Sequence, residues 1–161
     1  MSSVTVVMPV HEAESTLDAS IASVRGQTHE DWRLVLVDDA STDGSREIAA
    51  RAAADDERIE LVPLDTQSGA AVARNTAIAL ARSRYIAFCD ADDLWLPTKL
   101  ERQLAFATAT GSPLTFTSYA KIHGSDAVDA ARWTGSDRVV RARDRVTYRD
   151  LRHGNFIGCS T

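Results

Sequence analysis

The sequence has few cysteines and no long apolar run. Its two cysteines, Cys89 and Cys159, are too few for a disulfide framework or a metal site built from cysteine. Cys89 lies in the apolar run 85–89 and is predicted to be a buried free thiol. No apolar stretch approaches the ~20 residues that a membrane span needs, and no basic segment of a signal peptide precedes the first run. We therefore expect a cytoplasmic domain, at most associated with the cytoplasmic face of a membrane.

Basic residues are not in excess either, and a dinucleotide fingerprint is missing. The net charge is −5 and the pI about 5.3, which argues against nucleic acid as a partner because a phosphate backbone attracts basic surfaces. No G-x-G-x-x-G motif follows a strand-like run, which disfavours a dinucleotide-dependent oxidoreductase. The 44% hydrophobic and 25% charged content is typical of a globular protein, and 161 residues fit one domain.

Apolar runs alternate with segments of helical periodicity four times within the first 110 residues. The first run is β-branched and continuous rather than alternating, which is typical of a central parallel strand. The pattern predicts an α/β fold, a doubly wound, mainly parallel sheet with helices on both faces and ligands at the carboxyl ends of the strands. The predicted strands are 4–10, 32–37, 59–64, 85–89 and 114–118. Three of the predicted helices end at Gly26, near Ala54 and near Arg82, and a fourth starts at Pro97. A short helix is predicted at 147–153, and residues 124–145 are expected to be irregular.

Acidic residues follow two of the predicted strands. Asp90 and Asp92 come directly after the fourth strand, where two carboxylates could present oxygens to a hard cation such as Mg²⁺ or Mn²⁺. Acidic turns and helix caps give the same spacing, and Asp93 could simply precede the next helix. Asp38 and Asp39 end the second strand, where a carboxylate could accept a hydrogen bond from a base or ribose, or could stabilise a turn. The fold places both pairs on one edge of the sheet.

Several ordered segments together resemble glycosyltransferase family 2, whose members have the GT-A fold and include inverting enzymes. The resemblance extends from residue 4 to about 106, with a further similar segment at 155–161. Its motifs are Val-Met-Pro-Val-His-Glu-Ala-Glu at 7–14, Ser-Val-Arg-Gly-Gln-Thr at 23–28, Val-Asp-Asp-Ala-Ser-Thr-Asp-Gly-Ser at 37–45, Ala-Arg-Asn at 73–75, Tyr-Ile-Ala-Phe-Cys-Asp-Ala-Asp-Asp-Leu-Trp at 85–95 and Lys-Leu-Glu at 99–101.

The resemblance implies a site for the nucleoside of a nucleotide-sugar donor. Pro9, Val10 and His11 would line the base pocket. Asp39 would pair with the base, which is uracil in many members, and Asp38 would lie beside it. The donor implied is therefore a UDP-sugar, and the acceptor is a carbohydrate or a lipid-linked glycan.

The resemblance also implies a site for the diphosphate. Arg74, a single arginine in a helix of small residues, would approach the base or phosphates, although a solvated helix face is the simpler interpretation of the residue alone. Asp90 and the adjacent Ala91 would lie near the ribose. Asp92, with Asp90 beside it, would hold a divalent metal, Mn²⁺ or Mg²⁺, that bridges the diphosphate.

The sequence departs from the family at His11-Glu12, where Tyr-Asn is usual. His11 could still stack on a base, with a charge that varies with pH. Glu12 is expected to add negative charge near the pocket, which puts the usual nucleotide preference in question. Glu14 matches a common family acid and would bond the nucleoside or favour the N-terminus of the following helix.

An inverting transfer needs a general base that deprotonates the acceptor hydroxyl. In the family this acid lies well downstream of the D-x-D motif, and the spacing places it beyond Thr161. Nothing in the spacing of Asp126, Asp129 or Asp137 nominates one of them. We therefore expect residues 1–161 to be a single nucleotide-sugar-binding domain that is truncated before its acceptor and base region and binds donor with little transfer.

Three other classes of protein are weighed against this interpretation. A nucleotidyltransferase of similar fold would need a basic, glycine-rich loop after the first strand to hold a triphosphate. Residues 9–14 contain only His11 and acidic residues as polar groups. A phosphoacceptor or phosphatase domain usually has its acidic group after the first strand, whereas these pairs follow the second and fourth. A nucleotide-sugar-binding module without turnover is hardly distinguishable from the main interpretation at this length.

Overall fold

The computed structural model describes residues 3–121, 138–143 and 146. Strands and helices alternate along most of this length, as the apolar runs predict. The strands are β1 (Val4–Val10), β2 (Trp32–Asp38), β3 (Ile59–Pro63), β4 (Tyr85–Phe88), β5 (Tyr119–Lys121) and β6 (Arg138–Val140). The helices are α1 (Leu17–Arg25), α2 (Ser45–Asp55), α3 (Ala70–Leu80) and α4 (Lys99–Thr110).

The main sheet contains four parallel strands in the order β3-β2-β1-β4. Strand β1 lies inside the sheet, with Val4 paired to Trp32 of β2 on one side and to Tyr85 of β4 on the other. Six of the seven residues in β1 and in β2 are buried, which explains why both strands read as continuous apolar runs. The predicted doubly wound, mainly parallel sheet is confirmed.

Helices cover both faces of this sheet. On one face, alternate residues of β1 pack with α1, α2 and Leu100 of α4 in the larger core cluster. On the other face, the small side chains of Ala73 and Ala77 let α3 pack closely against β1 and β2. The residues of the smaller cluster are Val7, Val35, Val37, Ala73 and Ala77.

The region after α4 differs from the sequence prediction. Residues 114–118 form no strand, and β5 begins at Tyr119 instead, paired antiparallel with β6. Strand β6 lies within the segment 124–145 that was expected to be irregular. Leu114, in the apolar run on which the prediction rested, is 60% exposed, and among the described residues the run pairs with no strand. The predicted helix at 147–153 lies outside the described residues, as does Cys159.

Two glycines adopt backbone conformations that other residues rarely take. Gly69 precedes α3 with φ 91°, and Gly111 ends α4 in the left-handed region with φ 63°. Gly69 matters for the site, because it sets the direction in which α3 leaves the edge of the sheet. Among the helices of the described residues, none is long and apolar enough to cross a membrane.

Candidate functional site

The four parallel strands of the main sheet end at one edge, where the loops that follow them meet. Strand β2 pairs with β1 up to Asp38 opposite Val10, and β4 pairs with β1 up to Phe88 opposite Val7. The two acidic pairs that follow these strands therefore lie on the same edge, as the fold predicts. Segments 11–16, 39–44, 64–69 and 89–98 form this edge.

Asp39 is almost completely buried and holds the start of α3. One carboxylate oxygen accepts the N–H of Ser68 and the other accepts the N–H of Gly69, both at 2.7 Å. Its own N–H donates to the carbonyl of Val10 at 2.8 Å. Each carboxylate oxygen can accept a second hydrogen bond, so a base imide would share oxygens that already fix the loop before α3. The pairing of Asp39 with a base stays a prediction.

Asp38 is a buried anchor for α2. Its Oδ2 accepts a hydrogen bond from Nε of Arg46 at 2.6 Å, and its Oδ1 accepts the N–H of Ser41 at 3.3 Å. The Asp38 side chain is 0% exposed, whereas that of Arg46 is 44% exposed. Arg46 also donates to the carbonyl of Leu64 at 3.4 Å. These contacts join the ends of β2, α2 and β3, which is a structural role.

His11 bridges two segments of the edge. Its Nδ1 lies 3.0 Å from the carbonyl oxygen of Asp39, and its Nε2 lies 2.8 Å from Nε2 of Gln67. Because a carbonyl oxygen only accepts, Nδ1 must carry a proton, and Nε2 can then accept from the Gln67 amide in the neutral ring. Both bonds leave the ring exposed at the edge, where it could stack on a planar ligand.

Two of the predicted pocket residues are buried, and the protein itself uses their carbonyl groups. Val10 is fully buried in the core, and its carbonyl is taken by Asp39. Ala91 is 7% exposed, and its carbonyl accepts the hydroxyl of Ser20 at 2.8 Å. Pro9 is partly buried within β1. Of the predicted Pro9-Val10-His11 stretch, His11 therefore has the most accessible side chain.

Two glutamates of the first loop bind the second loop. Oε1 of Glu12 accepts both the N–H and the hydroxyl of Thr42, at 2.7 Å and 3.0 Å. Oε2 of Glu14 accepts the N–H of Gly44 at 3.2 Å. Hydrogen bonding to Ser45, and then to the backbone of Glu14, holds the pKa of the neighbouring Asp43 below its ordinary value. The carboxylate of Glu12 thus accepts from the backbone N–H and the hydroxyl of Thr42.

Arg74 and Asp90 contact each other. The Arg74 guanidinium donates to Oδ1 of Asp90 at 2.5 Å, and the two side chains are 23% and 28% exposed. The predicted phosphate-binding arginine and the predicted ribose-binding carboxylate thus form one half-buried ion pair. Arg74 lies in the second turn of α3, whose start is fixed by Asp39, so both acidic clusters are connected through this helix.

Asp92 is the exposed carboxylate of the second acidic pair. It is exposed just beyond β4, and Asp90 before it is occupied by Arg74. The described residues contain no group of three or more histidine, cysteine or acidic side chains that could hold a metal by themselves. Mg²⁺-type ions are commonly held by one or two carboxylates together with substrate phosphates. An exposed Asp92 beside a neutralised Asp90 fits a metal held in that way.

Two titratable groups, the partly buried Lys99 and the buried Cys89, lie close behind this acidic segment. Burial lowers the pKa of Lys99 to about 8, although nearby Cys89 and Asp93 oppose the shift. The Lys99 ammonium lies 4.4 Å from the centre of the Trp95 ring and donates to Oε1 of Gln103 at 2.6 Å. Burial also raises the pKa of Cys89, which is the buried thiol predicted from the sequence.

Some side chains at the edge were not predicted from the sequence. Gln67 contacts His11 across 56 positions of sequence, and Arg46 neutralises Asp38 after an intervening turn. Neither residue carries a motif signal in a single sequence. Asp43 and Gly44 do carry one, since both belong to the turn-forming segment after β2 and are the residues that Glu14 contacts.

The fold and this edge define a GT-A-type domain, and a family comparison identifies it further. The family model described as glycosyl transferase family 2 matches residues 5–157. The chain belongs to glycosyl transferase family 2. The resemblance stated from the motifs is confirmed.

Curated relatives match nearly the whole chain. The protein described as "Putative teichuronic acid biosynthesis glycosyltransferase TuaG" of Bacillus subtilis is 39% identical over 98% of this chain and 60% of its own length. The Escherichia coli protein WfgD, named UDP-Glc:alpha-D-GlcNAc-diphosphoundecaprenol beta-1,3-glucosyltransferase, is 36% identical over 98% of this chain and 58% of its own length. The chain thus spans about three-fifths of the length of these two relatives.

Solved structures of glycosyltransferases resemble the fold. TarS of S. aureus, in complex with UDP-GlcNAc, is 26% identical and matches 68% of this chain and 32% of its own, with a TM-score of 0.64. The mannosyltransferase PcManGT of Pyrobaculum calidifontis, in complex with GDP-Man and Mn²⁺, is 27% identical and matches 76% of this chain and 36% of its own, with a TM-score of 0.59. The predicted GT-A fold is confirmed.

Proposed function

We propose that this chain binds the nucleotide-sugar donor of a glycosyltransferase, with a UDP-sugar as donor and a divalent metal as cofactor. In the whole protein the sugar passes to an acceptor hydroxyl with inversion at the anomeric carbon. Membership of family 2 supports the reaction class. The name of one relative specifies UDP-Glc, and one similar structure holds UDP-GlcNAc, which supports uridine over other nucleosides.

The observation that carries this proposal is the exposed Asp92 carboxylate beside the Arg74–Asp90 ion pair. A diphosphate brings negative charge to an edge that is already acidic, so a cation must offset the repulsion. Asp92, with Asp90 beside it, would hold Mn²⁺ or Mg²⁺, which neutralises the diphosphate and stabilises it as a leaving group. The presence of Mn²⁺ with GDP-Man in one similar structure supports a metal at this fold.

The nucleoside would lie toward the other acidic pair. His11 offers an exposed ring for stacking, and Asp39 offers carboxylate oxygens that the loop before α3 holds in place. Arg74 lies between the two regions, within reach of Asp90. The chain's own residues would thus orient the donor from base to diphosphate along the carboxyl edge.

The proposed chemistry is a single displacement. The acceptor oxygen forms a bond to the anomeric carbon while the bond from that carbon to the diphosphate oxygen breaks, and the electron pair leaves with the nucleoside diphosphate. A general base takes the proton of the acceptor hydroxyl. The location of that base beyond Thr161, and the view of residues 1–161 as one donor-binding domain that is truncated before it, stay predictions.

The acceptor proposed is a growing glycan or a lipid-linked sugar at the cytoplasmic face of a membrane. Support comes from two relatives, one named for teichuronic acid biosynthesis and the other for a diphosphoundecaprenol acceptor. Polysaccharide biosynthesis is therefore the process in which we place the whole protein.

The test is calorimetric titration of the chain with UDP, with and without Mn²⁺, with GDP and dTDP as comparisons. We expect UDP to bind only with Mn²⁺, and Asp92→Asn to weaken that binding more than about tenfold, since one metal ligand is lost. The matched control is Asp55→Asn, which changes an exposed carboxylate at the far end of α2 and should bind UDP like the original chain.

Each other outcome changes the proposal in a defined way. Tighter binding of GDP or dTDP would keep the class and change the donor. A folded chain that bound no nucleotide in the presence of Mn²⁺ would contradict the proposed site. Equal binding by the Asp92→Asn and Asp55→Asn chains would remove the metal role from Asp92.

A further inference from the structure

The first two loops of the edge are joined by a reciprocal set of hydrogen bonds. The N–H groups of residues 12, 13 and 14 donate to the side chains of Ser41, Ser45 and Asp43, at 3.2, 2.8 and 3.0 Å. In return, the carboxylates of Glu12 and Glu14 accept from Thr42 and Gly44. We call these six bonds the loop clasp. Each loop thereby satisfies the backbone of the other.

Two residues of the loops that the clasp joins have an unfavourable backbone conformation. Glu12 has φ 48° and Ala40 has φ 56°, both in the left-handed region that residues other than glycine rarely adopt. One lies in each loop, close to the end of its strand. Such conformations persist only where surrounding contacts hold them, and they occur often at ligand sites. For Glu12, the contacts are bonds of the clasp itself.

The clasp also depends on close approach at Gly44. A Cβ atom on Gly44 would lie 2.7 Å from Oε1 and 2.8 Å from Cδ of Glu14. A methyl group there would therefore push the Glu14 carboxylate off the loop. Negative charge at this position is favourable, because Glu14 and Asp43 lie at the positive N-terminal end of α2.

The clasp is directly connected to the nucleoside end of the edge. Glu12 follows His11 and Ala40 follows Asp39 in the chain, and Nδ1 of His11 contacts the carbonyl of Asp39. A rotation of either loop would therefore change the position of His11 relative to Asp39. Glu12 and Glu14 are themselves exposed, so they add little to the hydrophobic core and their effect should be local.

We propose that Glu12 and Glu14 are positioning residues, which fasten the loops after β1 and β2 together and thereby fix His11 and Asp39 for the nucleoside of the donor. This inference rests on the proposed function, since it presupposes nucleotide binding at this edge. It assigns the unusual Glu12 a role in loop geometry rather than a direct effect of its charge on the ligand.

The experiment compares Glu14→Ala, Glu14→Gln and Gly44→Ala with the original chain, and uses Glu57→Ala as control. Glu57 is an exposed glutamate between α2 and β3, away from the edge. Two quantities are measured for each chain: the affinity for UDP with Mn²⁺, and the hydrogen-exchange rate of the amides in residues 39–44. Thermal unfolding of each chain shows whether it is folded.

We expect Glu14→Ala and Gly44→Ala to weaken UDP binding about tenfold, which corresponds to the loss of one or two hydrogen bonds. Exchange in residues 39–44 should accelerate in both, while the unfolding midpoint stays within a few degrees of the original. Glu14→Gln should retain most of the affinity, because its amide oxygen can still accept the Gly44 N–H. Glu57→Ala should change neither quantity.

The sign of the Glu14→Ala effect separates the clasp from simple electrostatics. Removing a negative charge near an anionic ligand should by itself strengthen binding, whereas loss of the clasp should weaken it. Glu14→Ala and Gly44→Ala chains that bound UDP as tightly as the original would overturn the positioning role and leave the proposed function intact. An original chain that bound no nucleotide would overturn the proposed function and this role together.

Discussion

The two acidic pairs at the edge of the sheet have similar sequences and different surroundings. Asp38 and Asp39 are buried, and every carboxylate oxygen of this pair accepts a hydrogen bond from the protein. Asp90 is half-buried and bound to Arg74, and Asp92 is exposed. Adjacent aspartates after a strand can therefore either organise the loops or remain available to a ligand, and the difference lies in the donors that the fold brings to them.

This comparison assigns different costs to the two pairs. Removing a buried carboxylate leaves its hydrogen-bond donors without an acceptor. Mutations of the pair after β2 should therefore reduce stability more than ligand binding. Removing an exposed carboxylate leaves no buried donor unsatisfied. Mutation of Asp92 after β4 should therefore reduce ligand binding more than stability. The free energy of unfolding, compared with the affinity for UDP and Mn²⁺, should separate the two pairs.

The largest loss of stability is expected for Asp38→Ala. This change removes a fully buried carboxylate from Arg46 and Ser41. We expect a loss of about 2 kcal/mol in the free energy of unfolding, less than for a fully buried ion pair, because Arg46 is 44% exposed. Urea denaturation checks this value, with Asp55→Ala as a control. A loss below about 0.5 kcal/mol, the range of surface substitutions, would show that the Asp38 contacts are not structural.

A pH-dependent effect on stability is expected for Lys99, behind the second pair. Because its pKa is lowered to about 8 in the folded chain from an ordinary 10.5, the unfolded chain binds more protons between these values. Stability attributable to Lys99 should therefore rise as the pH rises from about 8 to 10.5, by at most about 1.4 kcal/mol per pH unit.

The comparison with Lys99→Met isolates this contribution, because both chains retain the buried Cys89. The free energy of unfolding of the original chain minus that of Lys99→Met should increase between pH 8 and pH 10. The sequence has only one other lysine, at position 121, so few groups of this type contribute to the background. A difference that stayed constant over this range would mean that Lys99 keeps an ordinary pKa.

The smallest change in stability is expected for Asp92→Asn. The side chain is exposed, so the free energy of unfolding should stay within about 0.5 kcal/mol of the original value. The same chain should bind UDP with Mn²⁺ more than about tenfold more weakly, as proposed above. If Asp92→Asn destabilised the chain as much as Asp38→Ala, the distinction between the two acidic pairs would be wrong.

The fold was predictable because its signals are local. A continuous β-branched run identified β1, a second apolar run identified β2, and helical spacing with Gly26 after the last turn identified α1. The run at 114–118 misled the prediction, because it pairs with no strand within the part of the chain that the structure describes. A short strand depends on its partner, and the partner is not visible in a short sequence window.

The site was predictable only in outline. Sequence motifs identified the carboxylates and Arg74. They did not show which of these side chains would form hydrogen bonds within the protein and which would stay exposed. Asp39 accepts from Ser68 and Gly69 some 30 positions away, and Glu12 turns to Thr42 across the same distance. These contacts depend on loops brought together by the parallel register. They could not be inferred from the spacing of residues along the chain.

The pairing of β1 with both of its neighbours also bears on the order of folding. Val4 pairs with Trp32, from which it is separated in the chain only by α1 and its loops. Val4 also pairs with Tyr85, which follows β2, β3 and two more helices. Closing the shorter loop costs less chain entropy, so β1 and β2 should associate before β4 is added. The segment that carries Asp90 and Asp92 would then join a sheet whose other half, including the buried acidic pair, is already assembled.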